Sequence, residues 1–519
     1  METRKDSIII LDFGAQYSQL IARRIRELNV YSCIVPFNTK ADDLREMNPK
    51  GIIFSGGPCS VSDAGSPRPD PEVFKLGIPI LGICYGLQLI AIENGAAVSH
   101  PERREYGIAQ LHIRKESPLL SGMTDSPMWM SHGDSVLSLP DGFETIASTD
   151  NCEFCAMENT KRRLYGVQFH PEVVHSREGK ILLSNFAYGI CLCTGSWTMA
   201  NFVDESVKRI QEEVGDRQVL CGLSGGVDSS VAAALIHKAI GNNLVCVFVN
   251  NGLLRKNEAE MVQKVFRDTF DIRFEYSDSQ QLFLDALKGV SEPEAKRKTI
   301  GRVFIDAFYN SARKIEKESG RKIDFLAQGT LYPDVIESKS PNGGPSSTIK
   351  SHHNVGGLPS DLKWELLEPL RDLFKDEVRT LGRELGLPET LVDRHPFPGP
   401  GLGVRCIGEI TKERLDTLRD VDAIFIEEIR KAGLYSQMFQ AFADLLPVKS
   451  VGVQGDSRTY REVCTLRAVT SEDAMTADWY HFTPEFLTRV ASRICNEVSG
   501  VNRVLFDITQ KPPGTIEWE

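Results

Sequence analysis

The sequence lacks an excess of basic charge. Its 519 residues carry 71 acidic and 60 basic side chains, for a formal net charge of −11. Phosphate-backbone binding needs a net basic surface, so the balance argues against nucleic acid as the principal partner. A long apolar run is also missing. The most apolar stretch, Ile78–Ile92, is 15 residues long and is broken by Pro79, Gln88 and two glycines. About 20 such residues are needed to cross a bilayer, so no membrane span is expected. There is no signal-peptide h-region, because the charged start Met1–Lys5 runs directly into Ile8-Ile9-Ile10. Cysteine is dilute: twelve thiols over this length do not make the disulfide framework of a small secreted chain. A cytoplasmic protein with reduced thiols is expected. No internal repeat or low-complexity tract occurs, and 41% hydrophobic with 25% charged residues excludes a disordered or fibrous chain. The basic groups Arg23-Arg24-Ile25-Arg26 and Lys161-Arg162-Arg163 read as solvated faces.

The length predicts three domains at the usual ~150 residues each. Over residues 1–197, short apolar runs alternate with helical patterns. Ser7–Leu11, Gly51–Phe54 and Pro79–Ile83 read as buried strands, Ser18–Leu28 as an amphipathic helix, and Trp129–His132 and Arg163–Phe169 as further strands. Such alternation predicts a parallel sheet covered by helices. A second α/β pattern occupies 198–394, with Val219–Leu223 as a strand, Asp228–Ile240 as a helix, and strands at Leu244–Val249, Arg273–Tyr276 and Phe325–Gln328. Pro341-Asn342-Gly343-Gly344-Pro345-Ser346-Ser347 is expected to be a mobile loop or lid. The proline-rich stretch His395–Gly401 reads as a stiff connector. Residues 395–519 then give helices at Thr411–Ala432 and Pro484–Val498 and strands at Ser450–Gln454, Glu462–Val469 and Arg503–Thr509. The expected fold class is α/β, two parallel-sheet domains followed by a small α+β domain.

Gly82-Ile83-Cys84-Tyr85-Gly86 follows a strand and opens a helix. That is the layout of a nucleophile elbow with cysteine in place of serine. The helix start favours thiolate. The Tyr85 N–H faces a developing oxyanion, and the Ser55-Gly56-Gly57-Pro58 turn offers a second donor from Gly57. His170-Pro171-Glu172 supplies a base and its orienter, since residues i and i+2 of an extended segment point the same way. Cys84, His170 and Glu172 are therefore the expected triad. Residues 82–88 with 170–172 resemble the class I glutamine amidotransferase family, which implies a flavodoxin-like domain whose cysteine attacks the glutamine side-chain amide and releases ammonia. The resemblance also implies that Gln88 and the Ser131–Asp134 segment, with His132 and Asp134, help to hold glutamine.

Ser224-Gly225-Gly226-Val227-Asp228-Ser229-Ser230 lies between a strand and a helix. Two glycines let the backbone N–H groups curl round an anion, and Ser224 and Ser229 add hydroxyl donors. It is not a Walker A loop, since no Gly-Lys-Ser/Thr follows. Asp228 beside phosphates is repulsive unless it serves a cation, so Mg²⁺ is the economical explanation and Asp228 its expected ligand. The motif resembles the PP-loop ATP pyrophosphatases. That resemblance implies a Rossmann-like domain whose loop grips the β,γ-pyrophosphate while a substrate oxygen attacks the α-phosphorus. Asp334, Glu337, Lys339 and Lys350 then add carboxylates and cations near ATP.

Ammonia production fused to adenylation implies activation of a carbonyl oxygen as an AMP ester, followed by displacement of AMP. The order of modules resembles the glutamine-hydrolysing GMP synthetase family over essentially the whole chain, including 395–402, 453–456 and 511–519. That likeness implies glutamine, ATP and XMP as substrates, and a C-terminal domain that forms a homodimer and helps to bind XMP. Arg297, Gln454, Lys511, Ile516 and Glu517 are the expected XMP contacts. Three alternatives stay open. A different PP-loop amidotransferase acting on another acceptor is the nearest, although Met1-Glu2 argues against an N-terminal-cysteine glutaminase and His170-Pro171-Glu172 against a nitrilase-like one. A tRNA sulfur transferase would use Cys152-Glu153-Phe154-Cys155, against the acidic charge. A nucleotide-sensing scaffold would not need Cys84.

Overall fold

The computed structural model describes residues 6–99, 104–338, 364–454, 456–471 and 474–519. The chain divides into two compact units, Met1–Phe202 and Val203–Glu519. The second unit holds the segment expected at 395–519 and, from Val203 on, the one expected at 198–394.

In the first unit, strands β1 (Ser7–Asp12), β2 (Tyr31–Pro36), β3 (Gly51–Phe54), β4 (Ile80–Ile83), β5 (His112–Ile113), β6 (Glu144–Ser148), β7 (Ala156–Asn159) and β8 (Leu164–Val167) form one sheet. Their order is β2-β1-β3-β4-β8-β7-β6-β5. Ile8, Ile9, Ile10 and Leu11 have no exposure, so β1 is covered on both faces, as a central parallel strand must be. Burial of each such side chain contributes about 1.5–3 kcal/mol. Helix α1 (Ser18–Arg26) packs Ile21, Ala22 and Ile25 inward at helical spacing, and helix α2 (Tyr85–Glu93) follows β4. Pairing is parallel from β2 through β8. Beyond β8 it turns antiparallel, which strand–helix alternation does not announce. The cause is local: only Thr160–Arg163 separates β7 from β8, with Arg163 in the left-handed region at φ 57°, and so short a connection joins antiparallel neighbours. Lys161-Arg162-Arg163 is thus a hairpin tip. The strand expected at Trp129–His132 is present over Pro127–His132, but it pairs with Glu105–Gln110 away from the main sheet.

One expectation about charge is corrected here. Arg26 is buried, donates from Nη2 to Ser32 O at 2.7 Å, and lies over the Tyr31 and Trp197 rings. Arg24 donates from Nε to the backbone carbonyl of Glu172 at 3.0 Å. Their aliphatic stems and planar heads serve packing, where a charge count reads only a solvated face.

In the second unit, β9 (Val219–Leu223), β10 (Leu244–Asn250), β11 (Arg273–Asp278), β12 (Phe325–Ala327) and β13 (Glu365–Leu367) form an all-parallel sheet in the order β11-β10-β9-β12-β13. The order reverses at β9, so a crevice opens beyond the carboxyl ends of β9 and β12, where ligands bind in open α/β sheets. Helix α3 (Val227–Ile240) leaves β9 there, α4 (Pro293–Ser319) precedes β12, α5 (Tyr332–Ser338) follows it, and α6 (Lys375–Glu384) follows β13. Further on, helix α7 (Lys412–Lys431) precedes β14 (Gln440–Gln454), which pairs antiparallel with β15 (Ser457–Thr470); β16 (Asp478–Trp479), helix α8 (Pro484–Glu497) and β17 (Val501–Phe506) complete the sheet around β15. The strand expected at Ser450–Gln454 therefore starts ten residues earlier, at Gln440. Gln440–Leu446 carries no period-2 pattern because Ala441, Phe442, Ala443 and Leu445 are all fully buried. Pro447 sits in a register shift between Leu446 and Lys449, where a strand tolerates proline.

A single cluster of buried apolar residues runs through Leu220, Phe308, Leu402, Phe425 and Val501, so the segments on either side of residue 395 share one core. The proline-rich stretch between them is packed rather than a solvated spacer. Leu402 N donates to Leu253 O at 2.7 Å. Gly401, at φ +61°, lies so close that a Cβ would fall 2.3 Å from the same carbonyl. Among the described residues no helix is long and apolar enough to cross a membrane.

Candidate active sites

At the end of β4 the chain turns sharply. Cys84 takes φ 52° and ψ −103°, a region that costs a non-glycine residue about 1–3 kcal/mol and is held only where the surroundings impose it. Two glycines make the turn possible. A Cβ on Gly82 would meet Gly86 O at 2.4 Å, and one on Gly86 would meet Phe54 O at 2.5 Å. Tyr85 is the first helical residue, so its N–H lacks an intrahelical acceptor and is free to serve as a donor. The Gly56-Gly57 turn follows β3 and is shaped by Ser55, whose Oγ accepts from Phe13 N at 2.9 Å and donates to Gly56 O at 2.8 Å. Gly57 packs on the Tyr85 ring, and a Cβ on Gly56 would lie 3.3 Å from His170 Cε1. A side chain at either position would crowd these neighbours.

His170 and Glu172 leave the end of β8. His170 Nδ1 lies 2.7 Å from Glu172 Oε1, and both residues are buried. Nδ1 therefore carries a proton and Nε2 faces Cys84, with which the ring hydrogen-bonds. Burial alone would lower the imidazole pKa, yet the Glu172 carboxylate and the Cys84 sulfur outweigh it and push His170 up to about 11. The arrangement favours imidazolium at His170, beside the Cys84 sulfur. Ser176 Oγ donates to His170 O at 2.5 Å, Arg24 holds Glu172 O, and Tyr17 meets the imidazole edge-on at 5.6 Å.

The residues expected to hold glutamine lie one layer behind. Gln88 Nε2 donates to Asp134 O at 2.9 Å, and His132 Nδ1 lies 3.0 Å from the same carbonyl. His132 Nε2 faces Glu105 at 3.4 Å. These side chains fix the Ser131–Asp134 turn, whose Ser131 carbonyl lies 3.7 Å from the Cys84 sulfur. Sequence reasoning missed Gln168, fully buried, whose Nε2 donates to Cys84 Sγ at 3.5 Å. The signal was available, since Gln168, His170 and Glu172 are spaced by two. Cys152 and Cys155 are buried and unbridged, and burial pushes the Cys155 thiol well above its ordinary value, opposite to what a sulfur carrier needs.

The glycine loop after β9 lies at the sheet's reversal point. Ser224 and Ser229 hydroxyls are 3.1 Å apart, Ser224 N donates to Ser229 Oγ at 3.2 Å, and Ser230 Oγ donates to Gly226 O at 2.7 Å. Gly225 has φ +74°, and its carbonyl accepts from Arg394 Nη1 at 2.8 Å. Val227 and Asp228 open helix α3. Asp228 has the cation that its position requires, because Lys375 Nζ lies 2.7 Å from each of its oxygens. Lys375 was also missed. Its signal is an anomaly, a lysine at the first residue of α6, where the helix dipole disfavours positive charge. Among the described residues no cluster of three or more His, Cys, Asp or Glu side chains could hold a metal. One carboxylate beside phosphates nevertheless suits Mg²⁺, which keeps several waters and takes one or two carboxylates with the substrate's own oxygens. Asp334 Oδ2 accepts from Leu331 N at 3.1 Å at the start of α5, and Glu337 belongs to the same helix. Lys339, Lys350 and the loop expected at Pro341–Ser347 lie outside the described residues.

The expected nucleotide contacts gather in part on the C-terminal tail. Glu517 Oε1 accepts from Arg405 Nη2 at 2.8 Å and from Gln440 Nε2 at 2.7 Å, and Oε2 accepts from Arg405 Nε at 3.0 Å. Ile516 is buried against Phe442 and Val469, and its carbonyl accepts from Arg467 Nε at 2.8 Å. Arg297 donates to Glu519 O, and buried Lys296 pairs with the Glu519 carboxylate at 2.6 Å. Lys511 Nζ donates to Ala474 O at 2.8 Å. It edges a polar cleft of about 710 Å³ that also presents Thr470, Ser471, Thr476, Asp478 and Gln510. Gln454 ends β14, paired with Ser457 at the hairpin turn. The tail is anchored by cations, not frayed.

Comparison with known proteins matches residues 9–190 to the class-I glutamine amidotransferases, 198–309 to NAD synthase and 427–518 to the GMP synthase C terminal domain. The NAD synthase match covers the phosphate-loop segment and leaves the glutaminase to the amidotransferase family. The chain is 57% identical over 518 residues to the glutamine-hydrolyzing GMP synthase of Agrobacterium fabrum, covering 99% of each chain. It is 56% identical over 520 residues to that of Brachyspira hyodysenteriae, covering 100% of each. The amidotransferase match contains the Cys84 elbow and the NAD synthase match the Asp228 loop, and by its identity to these relatives over the whole length the chain belongs to the glutamine-hydrolysing GMP synthases, enzymes that join an amidotransferase to an ATP pyrophosphatase.

Proposed function

We propose that residues 1–197 make ammonia, residues 198–394 adenylate XMP, and residues 395–519 dimerise and help to hold the nucleotide. The observation that carries the first role is the buried His170 between Glu172 and a left-handed Cys84. Cys84 thiolate attacks the glutamine side-chain carbonyl carbon, and the oxyanion meets the N–H groups of Gly57 and Tyr85. The imidazolium of His170 donates its Nε2 proton to the departing amine, ammonia leaves, and a thioester remains. His170 then takes a proton from water, whose hydroxide attacks the thioester carbon; glutamate is released and the thiolate–imidazolium pair is restored. Glu172 keeps the proton on Nδ1 throughout. Gln88, His132 and Asp134 shape the wall against which glutamine lies.

In the second site the N–H groups and hydroxyls of 224–230 hold the β,γ-pyrophosphate of ATP. Mg²⁺, held by Asp228 and phosphate oxygens, would supply charge neutralisation there. An oxygen of XMP attacks the α-phosphorus, pyrophosphate leaves, and ammonia displaces AMP to give GMP. Asp334, Glu337, Lys339 and Lys350 border ATP; Arg297, Gln454, Lys511, Ile516 and Glu517 border XMP. Support for a homodimer is an exposed apolar patch: Val451 and Val453 alternate on β14, and Tyr460 lies opposite Val451 on β15. The reduced thiols fit a cytoplasmic enzyme. Purified protein given XMP, ATP, Mg²⁺ and glutamine is expected to form GMP, AMP and pyrophosphate. Pyrophosphate release that ignores XMP, or no release at all, would sink the reading.

A further inference from the structure

Three guanidinium groups converge on one aromatic ring. Arg255, Arg394 and Arg405 place their guanidinium carbons 5.2, 5.2 and 5.1 Å from the centre of Phe397, in the proline-rich stretch that sequence alone reads as a connector. Three like charges so close repel one another, and burial with the Arg394 and Arg405 charges lowers the pKa of Arg255. Each cation therefore has its own carboxylate: Arg255 with Asp422 at 3.2 Å, Arg394 with Glu258 at 2.6 Å, and Arg405 with Glu517 at 2.8 Å. The ring's negative face supplies what they share.

Two of the three arms end on the chemistry. Arg394 also donates to the Gly225 carbonyl of the phosphate loop at 2.8 Å. Arg405 grips both oxygens of Glu517 on the tail, and Gln440, which holds Oε1, also donates to Pro396 O at 3.0 Å, beside the ring. Arg394 and Arg405 are planar donors, the first fixed by one hydrogen bond and one ion pair and the second by two hydrogen bonds, so neither can swing without breaking a contact. Both are almost fully buried, and the register between loop and tail is set without solvent.

We propose that Phe397, with Arg394 and Arg405, is a positioning hub that holds the phosphate loop and the Glu517 carboxylate in one frame, so that the α-phosphorus of ATP and the attacking oxygen of XMP are aligned. The proposal rests on the reading of Glu517 as an XMP contact. The hub touches neither substrate. Its removal is felt through Gly225 and Glu517, and so at both substrates together.

The test is the ammonium-driven reaction of the full-length protein with XMP and ATP-Mg²⁺. Phe397→Leu keeps an apolar side chain and removes the π face. It is expected to raise the KM for ATP and the KM for XMP each by about three- to tenfold, and Phe397→Tyr is expected to restore both. Loss of packing alone would shrink the active fraction and lower kcat with both KM values unchanged, and that result overturns the hub. Movement of one KM alone overturns it as well. If Phe397→Leu does not fold, Arg405→Lys and Arg394→Lys replace it. The first is expected to raise the XMP KM and the second the ATP KM, and failure of either to do so overturns the hub. Glu517→Gln separates the two claims. An unchanged XMP KM in that variant removes the reading of Glu517 and, with it, the hub's tail arm. A raised one, beside an inert Phe397→Leu, removes the hub alone.

Discussion

The Cys84 elbow and the Asp228 loop are both strand-to-helix turns, and their side chains are arranged in opposite ways. At the elbow every working group is already aimed: Nδ1 on Glu172, Nε2 on the sulfur, and glycines where a side chain would intrude. At the phosphate loop the groups satisfy one another. Ser224 and Ser229 face each other, and Asp228 is capped by Lys375. The difference follows from what each receives. A neutral amide brings no charge, so the elbow must supply its own ion pair in a dry site, where preorganised charge acts most strongly. A nucleotide brings several charges and a cation, so the loop must be neutral without them and able to release its internal pairs. Asp228 and Lys375 keep 32% and 44% of their side chains exposed, which makes their pairing weak and easily exchanged.

The largest effect separates the two turns. Cys84→Ala is expected to lower glutamine-driven GMP formation by at least about 10⁴-fold, as loss of a nucleophile does. It should leave ammonium-driven formation intact, whereas Asp228→Ala should lose both. A folded Cys84→Ala protein that also fails with ammonium would mean that the turns are not independent, and the comparison would break there.

Glu172→Gln tests whether the elbow's readiness is electrostatic. Loss of about 10³-fold in glutamine-driven rate is expected, because an orienting carboxylate fixes the tautomer and stabilises the imidazolium. The wild-type profile should lack a His170 limb between pH 7 and 9, since the imidazolium persists to about 11. In the variant the imidazole returns toward its ordinary 6.5, and a limb should enter the neutral range. An unshifted profile would mean that Glu172 only fills space. The sign for stability agrees: a raised histidine pKa stabilises the fold below pH 6.5, and that contribution fades as pH climbs toward 11.

Much of this was legible, and for a physical reason. The elbow's determinants lie within seven residues, 82–88, and one extended stretch, and an apolar run such as Ile8–Leu11 can only be a strand covered on both faces. Gln168 shares the spacing of His170 and Glu172, but an amide has neither charge nor nucleophilicity to mark it. The pairs that complete the other sites are separated by 147 residues for Lys375 and Asp228 and by 112 for Arg405 and Glu517, so no local period joins them. Gln440–Leu446 escaped because a strand buried on both faces loses its alternation, and the antiparallel half of the first sheet because its key is one left-handed arginine.

A second buried histidine sharpens the electrostatic half of the comparison. His395 stacks on Tyr435 at 3.7 Å, Nε2 lies 2.8 Å from the Tyr435 carbonyl, and Nδ1 accepts from Ala441 N at 3.2 Å. Burial and the facing charges of Arg255, Arg430 and Arg379 outweigh that carbonyl and hold it at about 4. Equal burial thus gives opposite results, because one imidazole faces anions and the other cations. Between pH 6.5 and 4 the unfolded chain binds a proton at this position that the native chain refuses, so stability falls as pH falls. The loss is about 3 kcal/mol for a shift of this size. Urea unfolding across that range should show a shallower pH dependence for His395→Gln, and an equal slope would discard the assignment.

The smallest expected effect bears on the loop's internal cap. Lys375→Gln frees Asp228 but removes a positive charge from the phosphate site, two consequences that oppose each other. Pyrophosphate release is expected to slow by no more than about tenfold, since an exposed pair contributes about 1 kcal/mol or less. The slowing should be equal with glutamine and with ammonium as donor. The magnesium concentration for half-maximal rate should fall, because the cation no longer competes with Lys375 for the carboxylate. An unchanged magnesium requirement would mean that Lys375 keeps its place when the nucleotide arrives, and the loop would then be as rigidly prepared as the elbow.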